Sequence, residues 1–571
     1  MTAPFWEKSY PAGVTWAQNF QAKPIWTLFD DAVARFAPRP CLNFMGKVYT
    51  YAAISDLIDR AAKGFQQLGV GPGVHVGLFL PNTPHYVICF FAILKAGGRV
   101  VNYSPLDAER ELRYKIEDSQ TDIIVTLDLK ALYGNISKML GSTRLKKIVV
   151  CRLPDVLPFP KNILFPLAKG KEIASVPKDD KHIRFSDLIA NDGRYTPHPV
   201  KDPVEEVAIL QYTGGTTGQP KGAMLTHGNI TATVQMYASW TENSEALKLE
   251  DGKERVMMVL PMFHIYGLSA VLLRMLIIGA EFILHPRFEL KAVVEDLHKK
   301  KITIFPGVPT MYAAIVNFPD LKNYDLSALK FCASGGAPLP AEIQDKFETI
   351  TGHKMIEGWG MTETSPAGTQ TIYGGKRKRG SCGLPLPGVI IEIVDVDDPL
   401  KVLGVNQTGE ICISGPNVMK GYWNKPEATA EAFAGGRFHT GDVGYMDEEG
   451  YIFIVDRKKD MILSGGFNVY PRNIEEAIYE HPSVEECTVI GIPDQYRGQS
   501  AKAFIKLKPG AEPFTFEQLR DFLKDKLGKH EMPVAMEIRD ALPKTLIGKL
   551  SKKELVEEEL KKAESGKQAA S

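Results

Sequence analysis

The sequence predicts an α/β protein: a large N-terminal domain of two α/β sheet subdomains plus a small β subdomain, followed by a C-terminal α+β domain. Three observations predict this. Short apolar runs alternate with helical patterns over residues 50 to 190 and again over 200 to 350. From Gly383 to Val455 the rhythm changes to short strands punctuated by Gly, Pro and Asp. After Lys459 a new mixed pattern begins. Continuous apolar runs suit strands covered on both faces, as in a parallel sheet flanked by helices. The 571 residues allow roughly four folding units of ~150 residues each.

In the first stretch, DLIDRAAKGFQQLGV reads as an amphipathic helix, HVGLFLP as a buried strand, HYVICFFAILKAGG as a helix closed by glycines, and RVVNYSP as the next strand. The second stretch repeats the alternation with RVMMVLP, AVLLRMLIIGAEFILH, HKKKITIFPGVP and LKFCASGGAP. VIIEIVDV, GEICISG and GYIFIVD then read as the strands of a small antiparallel unit. The C-terminal domain contains the helix RNIEEAIYEH, the strands ECTVIGI and AKAFIKL, and the helix FEQLRDFLKDKL. The expected division is residues 1–457 and 458–571, with a charged tail from about 552. The stretch LPDVLPFPKNILFPLAKGK interrupts the α/β rhythm. Its Phe159, Ile163, Leu164, Phe165 and Leu167 are interleaved with Lys161, Lys169 and Lys171. It reads either as a packed surface excursion or, over 157–171, as a peripheral membrane contact. The run KRKR at Lys376 to Arg379 reads as a solvated loop.

Lys plus Arg and Asp plus Glu both total 68, so the formal net charge is zero. A nucleic-acid-coating protein would show a basic excess, and no nucleic-acid partner is expected. The seven cysteines are scattered, with no CxxC pair and no zinc spacing. That count fits a reducing compartment. The N-terminal MTAPFWEKSYPAG has no apolar core of a signal peptide. The most apolar stretch, Leu268 to Leu284, carries Arg274 and Glu281 and reads as a buried helix followed by a strand. The expected location is cytoplasmic, including the inner membrane face as a peripheral site.

Thr213 to Gly222, TGGTTGQPKG, is the most informative segment. It follows the apolar strand VAILQY. Gly214, Gly215 and Gly218 let the backbone turn its N–H groups inward, Thr213, Thr216 and Thr217 add hydroxyls, and Lys221 adds charge. Together they form a cradle for a polyphosphate. It is not a Walker A loop, because Gln219 and Pro220 separate Gly218 from Lys221 and Gly222 follows the lysine.

That loop, together with GWGMTETSP, HTGDVGYMDEEGYIFIVDRKKDMILSGGFNVYP and PKTLIGKL, resembles the adenylate-forming superfamily, over nearly the whole chain. The segment Phe438 to Lys459 is most similar to the signature of fatty-acyl-CoA synthetases, the bacterial long-chain enzymes in particular. The resemblance implies an AMP-forming ligase. A carboxylate attacks the α-phosphate of ATP, giving acyl-AMP and pyrophosphate, and the CoA thiol then displaces AMP. It implies ATP, magnesium and CoA, and a mobile C-terminal domain. Medium-chain or aryl acids, a non-catalytic fatty-acid-binding uptake partner, and an adenylation domain feeding a carrier protein stand as alternatives. The oligomeric state stays open, a dimer included.

The resemblance also implies residue roles. Glu363 matches the metal carboxylate, which suits magnesium's preference for a carboxylate plus phosphate oxygens, and Thr362 matches the residue holding the α-phosphate. Trp359 matches the aromatic that stacks on adenine, where Tyr is frequent. Gly336, Ala337 and Pro338 match the opposite wall. Asp442 matches the carboxylate that accepts the ribose hydroxyls, and Arg457 a second ribose or phosphate contact. Lys459 marks the hinge. Lys549 matches the lysine of the adenylation step, and Ser464, Gly465 and Gly466 the pantetheine tunnel. His264 matches an aromatic at the acyl-site entrance. The acyl pocket is expected from the region Thr226 to Trp240, Tyr266, Gly267 and the loop near Gly335.

Overall fold

Two predominantly parallel sheets carry the N-terminal part of the molecule in the computed structural model, which describes residues 3–213, 219–242, 244, 246–464, 467–494, 496–545 and 550–569. The first sheet has seven strands, in the order His182–Arg184, Lys147–Cys151, Thr121–Leu127, His75–Phe79, Arg99–Asn102, Val207–Thr213 and Lys221–Thr226. All neighbours are parallel except the last two, which form an antiparallel pair with Thr213 opposite Lys221. Every residue of the central strand His75–Phe79 is buried, which explains its continuous apolar reading.

The second sheet has nine strands. Six are parallel: Met355–Trp359, Phe331–Gly335, Ile304–Gly307, Arg255–Met258, Glu281–Leu284 and Pro40–Phe44. Thr369–Gln370 and Leu384–Pro385 add antiparallel strands at one end, and Lys47–Thr50 at the other. The hairpin of residues 40–50 thus joins a sheet otherwise made from residues after 250. Leu42 lies opposite Phe282.

Helix Pro84–Lys95 is buried at all twelve positions, apolar around its whole circumference as a helix between two layers must be. Tyr86 joins those layers: its hydroxyl oxygen lies 2.6 Å from the Met262 carbonyl, after a strand of the second sheet, and 2.9 Å from Asn102 Oδ1 on the first, with its one proton to share between them.

The small β unit is a four-stranded antiparallel sheet of Ile390–Val394, Gly409–Ser414, Phe438–Met446 and Ile452–Arg457. Beyond it, Ile462–Ser464, Phe467–Val469, Val484–Asp494, Gly498–Leu507 and Ala535–Ile538 make a five-stranded sheet. Helices Pro471–Tyr479 and Phe516–Leu523 accompany it; the second is capped by reciprocal hydrogen bonds between Thr515 and Gln518. One apolar cluster runs from Trp6 to Ile452, and separate clusters begin at Ile462 and Ile490. The polar segment Asp456 to Asp460 lies between them in sequence.

One surface reading needs correction. The KRKR run is not simply solvated: Lys376 pairs with Glu449, Arg377 with Glu348, and Lys378 with Asp447. In the 157–171 excursion, helix Lys161–Lys169 has no buried residue, yet Phe165 packs partly against the core. Among the described residues no helix is long and apolar enough to cross a membrane.

Candidate functional site

A cavity of about 1890 Å³ opens where the carboxyl ends of both large sheets meet the C-terminal domain. This is where open α/β sheets place their ligands. Thr213 and Lys221, facing each other at the base of the antiparallel pair, both line it. Gly214, Gly215, Thr216, Thr217 and Gly218 lie outside the described residues. Lys221 Nζ sits 5.0 Å from the centre of the Tyr422 ring. Tyr422 is brought there by a bridge with Ala223 and by the Trp423 amide donating to the Gly222 carbonyl at 2.8 Å.

Strand Met355–Trp359 leads into a tight turn, Thr362–Thr364. Thr362 and Glu363 both line the cavity. The Tyr422 hydroxyl donates to Glu363 Oε1 at 2.9 Å, and the Met419 amide holds the Glu363 carbonyl at 2.7 Å. Burial pushes the Glu363 carboxyl above its ordinary pKa, against the opposing pull of the Tyr422 hydroxyl and the Arg457 charge. A desolvated carboxylate held by a neutral phenol fits a divalent cation. Among the described residues no group of three or more metal-ligating side chains forms. The donor set therefore matches magnesium held by one carboxylate, with phosphate oxygens completing its shell.

Asp442 differs. Trp359 Nε1 donates to its Oδ2 at 2.7 Å, and Arg457 Nε to its Oδ1 at 2.8 Å. Arg457 is opposite Asp442 in the antiparallel register, and the Asp442 amide donates to Thr440 Oγ1 at 3.1 Å. The Asp442 charge raises the Arg457 pKa. Each carboxylate oxygen keeps lone-pair capacity for a further donor. Trp in place of Tyr at 359 thus brings an N–H that anchors the carboxylate.

The opposite wall is Gly336, Ala337 and Pro338. Gly335 and Gly336 favour glycine for different reasons: a Cβ at Gly335 would stand a tight 3.1 Å from the Tyr266 ring, and Gly336 has φ +82°. Ser334 Oγ and Gln370 Oε1 are buried on this cavity without a hydrogen-bond partner among the described residues. These two, and Tyr422, escaped the sequence reading, because a lone polar residue in a strand or loop carries no pattern.

His264 lines the cavity, and its Nδ1 accepts the Tyr266 amide at 3.2 Å, which orients the ring. Lys459 also lines it, with its pKa lowered by burial and then by the Arg457 charge. Ser464 does not reach it: buried in Ile462–Ser464, it lies opposite Phe467 and Gly498. Gly465, Gly466 and Lys549 lie outside the described residues; Thr545 and Leu550, to either side of 546–549, both line the cavity. Of Thr226 to Trp240, only Tyr237 lines it. Trp240 instead packs on Tyr10 and donates to the Thr371 carbonyl, while Gly267 sits tight against Pro261.

A cavity that gathers Lys221, Glu363, Asp442 and Arg457 beside Trp359 suits a phosphorylated nucleotide, and marks a nucleotide-binding class of enzyme. The chain belongs to the AMP-binding enzyme family: residues 29–423 match the AMP-binding enzyme model, and residues 473–549 the AMP-binding enzyme C-terminal domain. It is 41% identical over 565 residues to a long-chain-fatty-acid–CoA ligase of Bacillus subtilis (strain 168), covering 97% of this chain and 98% of the relative. A ligase of the same name from Escherichia coli O157:H7 is 36% identical, with the same coverage. Among solved structures, the anthranilate CoA ligase AuaEII in complex with anthranoyl-AMP aligns with TM-score 0.82 and 26% identity, over 95% of this chain and 98% of that one. ATP-bound MatB from Rhodopseudomonas palustris aligns with TM-score 0.80 and 27% identity, over 93% and 98%.

Proposed function

We infer that the chain joins a long-chain fatty acid to CoA in two steps at this cavity. A carboxylate oxygen bonds to the α-phosphorus of ATP as pyrophosphate leaves. The CoA thiol then bonds to the acyl carbon, AMP leaves, and the thiol proton passes to water. The observation that carries this reading is the convergence of Lys221, Glu363, Trp359, Asp442 and Arg457 on one cavity that continues between apolar walls.

Carboxylate and triphosphate are both anionic, so their approach needs charge neutralisation and positioning. Lys221, with Thr213 and residues 214–218, holds the β- and γ-phosphates. Trp359 and the 336–338 wall enclose the adenine, and Asp442 accepts the ribose hydroxyls while Trp359 and Arg457 steady it. When bound, magnesium supplies positive charge against the phosphate oxygens, and Glu363 would hold it. Residues 1–457 and 458–571 form two domains that turn about Lys459. Lys549 serves the first step, and Ser464 to Gly466 serve the second after rotation. A thioester-forming assay across fatty and aryl acids, with and without CoA, tests the reading. Acyl-AMP without CoA and thioester with it are expected, with long fatty acids preferred. A preference for aryl or medium-chain acids would move the substrate class, and absence of both products would sink the reading. Lys549→Ala should lose acyl-AMP formation yet still convert supplied acyl-AMP; equal loss of both steps would refute its role.

The 157–171 segment touches an anionic membrane surface. Phe159 and Leu167 are each 79% exposed and Ile163 and Leu164 more than half, beside Lys161, Lys169 and Lys171. Each lysine near such a surface adds about 1 kcal/mol, so binding is reversible and salt-sensitive. Because Phe165 packs inward, the informative variant replaces Phe159, Leu164 and Leu167 by Ser. It should lose sedimentation with anionic liposomes and keep turnover of soluble acids. Native protein that stays in solution at low salt would remove the contact.

A further inference from the structure

The apolar part of the cavity contains a buried charge that activation of a plain fatty acid does not use. Arg274 follows the π-helical segment Tyr266–Leu273 and is 2% exposed. Its Nη2 donates to Thr241 Oγ1 at 2.7 Å. Its Nε and Nη1 are buried without a hydrogen-bond partner among the described residues, and the residue lines the cavity. The acids whose charge reaches it, Glu242 and Asp251, are both exposed, and Asp251 is already paired with Arg35. Burial lowers the Arg274 pKa to about 10, so the guanidinium is cationic at neutral pH.

Its position places it away from the adenylate. Tyr266, Ala270 and Arg274 recur at four-residue spacing along one helical stretch, and all three line the cavity. Tyr266 abuts Gly335 at the nucleotide end. Arg274 lies eight residues further on, at most about 12 Å along the helix axis at the α-helical rise. Tyr237, one turn before Thr241, lines the same channel from the facing helix His227–Glu242. A guanidinium with two unpartnered nitrogens is costly against apolar walls. A hydrocarbon tail alone would be better served by leucine or methionine there.

We propose that Arg274 is a polar subsite inside the acyl channel, which takes an oxygen acceptor on the substrate's chain remote from the reacting carboxylate. A second carboxylate suits it best, because it pairs with both charge and fork; a hydroxyl or keto oxygen suits it less well. The preferred substrates are then chain-oxygenated acids, with α,ω-dicarboxylic acids first. This deepens the acid:CoA ligase reading and rests on it.

The test compares kcat and KM for plain, ω-hydroxy and α,ω-dicarboxylic acids of matched length, over a series of lengths, in the native chain, Arg274→Met and Arg274→Lys. At one length the native chain should use the dicarboxylic acid with kcat/KM at least equal to that of the plain acid. Arg274→Met should lower kcat/KM for that diacid at least tenfold, chiefly through KM, while plain acids hold or improve. Arg274→Lys should recover part of the loss. A native chain that disfavours every oxygenated acid at every length overturns the proposal, whatever the variants do. So does an Arg274→Met effect equal on all acids, which would mark a structural arginine satisfied by water. Turnover of plain long-chain acids by the native chain reports on the ligase reading separately. If that turnover is present while the diacid effect is absent, this proposal alone fails.

Discussion

Glu363, half-buried, and Asp442, buried, are two carboxylates on one cavity, and the protein treats them in opposite ways. Asp442 receives an indole N–H and a guanidinium, one on each oxygen. Glu363 receives neutral donors, its own backbone N–H and the Tyr422 phenol, and is held above its ordinary pKa by burial. The difference teaches that burial alone does not assign a carboxylate. A group whose charge is met by protein donors is a preorganised acceptor. A group left short of positive charge is completed by what binds.

Removing each charge in turn sharpens the comparison. Glu363→Gln keeps the volume and deletes the charge, and should lower acyl-AMP formation about 10²- to 10³-fold, the scale of losing one preorganised charge contact. Ordinary magnesium dependence in this variant would exclude Glu363 as the metal carboxylate. Asp442→Asn leaves Arg457 facing a neutral amide and should raise the KM for ATP about tenfold with less change in kcat. If instead kcat fell as steeply as in Glu363→Gln, the two carboxylates would not have distinct roles.

Tyr422→Phe acts on Glu363 by removing a side-chain donor. The Tyr422 hydroxyl lowers the Glu363 pKa, so its loss raises that pKa further. Glu363 must be ionised to hold a cation. The acid limb of the adenylation pH profile should therefore move to higher pH, with the loss confined to that limb. A profile of unchanged shape would disconnect the pair.

The smallest expected effect concerns Glu357, a third cavity carboxyl, which burial pushes up to about 7. Its folded pKa exceeds the unfolded value near 4.5, so the native state binds the extra proton. Stability then falls as pH rises from about 4.5 to 7 and levels off above that. Glu357→Gln should raise Tm at pH 8, by a stabilisation of at most about 3 kcal/mol, and leave it unchanged at pH 4. The same gain at both pH values would point to packing in place of ionisation.

Much of the site was legible because its residues travel in short motifs. Glu363 and Thr362 sit in one turn, Asp442 and Arg457 flank one hairpin, and Thr213 and Lys221 flank one loop. Their partners were not legible. Tyr422 reaches Glu363 from 59 residues away and Trp359 reaches Asp442 from 83. Arg274 read only as a charge within an apolar stretch, since its burial depends on the facing helix that carries Thr241.

Apolar periodicity and turn residues are local quantities. By themselves they determined the parallel-sheet strands, the β subdomain near Gly383 and the separate C-terminal unit. They could not decide which sheet receives the hairpin 40–50, because Leu42 finds Phe282 only once the chain has returned. Nor could they separate a helix buried on all sides from one that stays at the surface. Pro84–Lys95 is buried on every side, while Lys161–Lys169 leaves Ile163, Leu164 and Leu167 in solvent. What covers a side chain belongs to the route of the whole chain, and that only the tertiary structure decided.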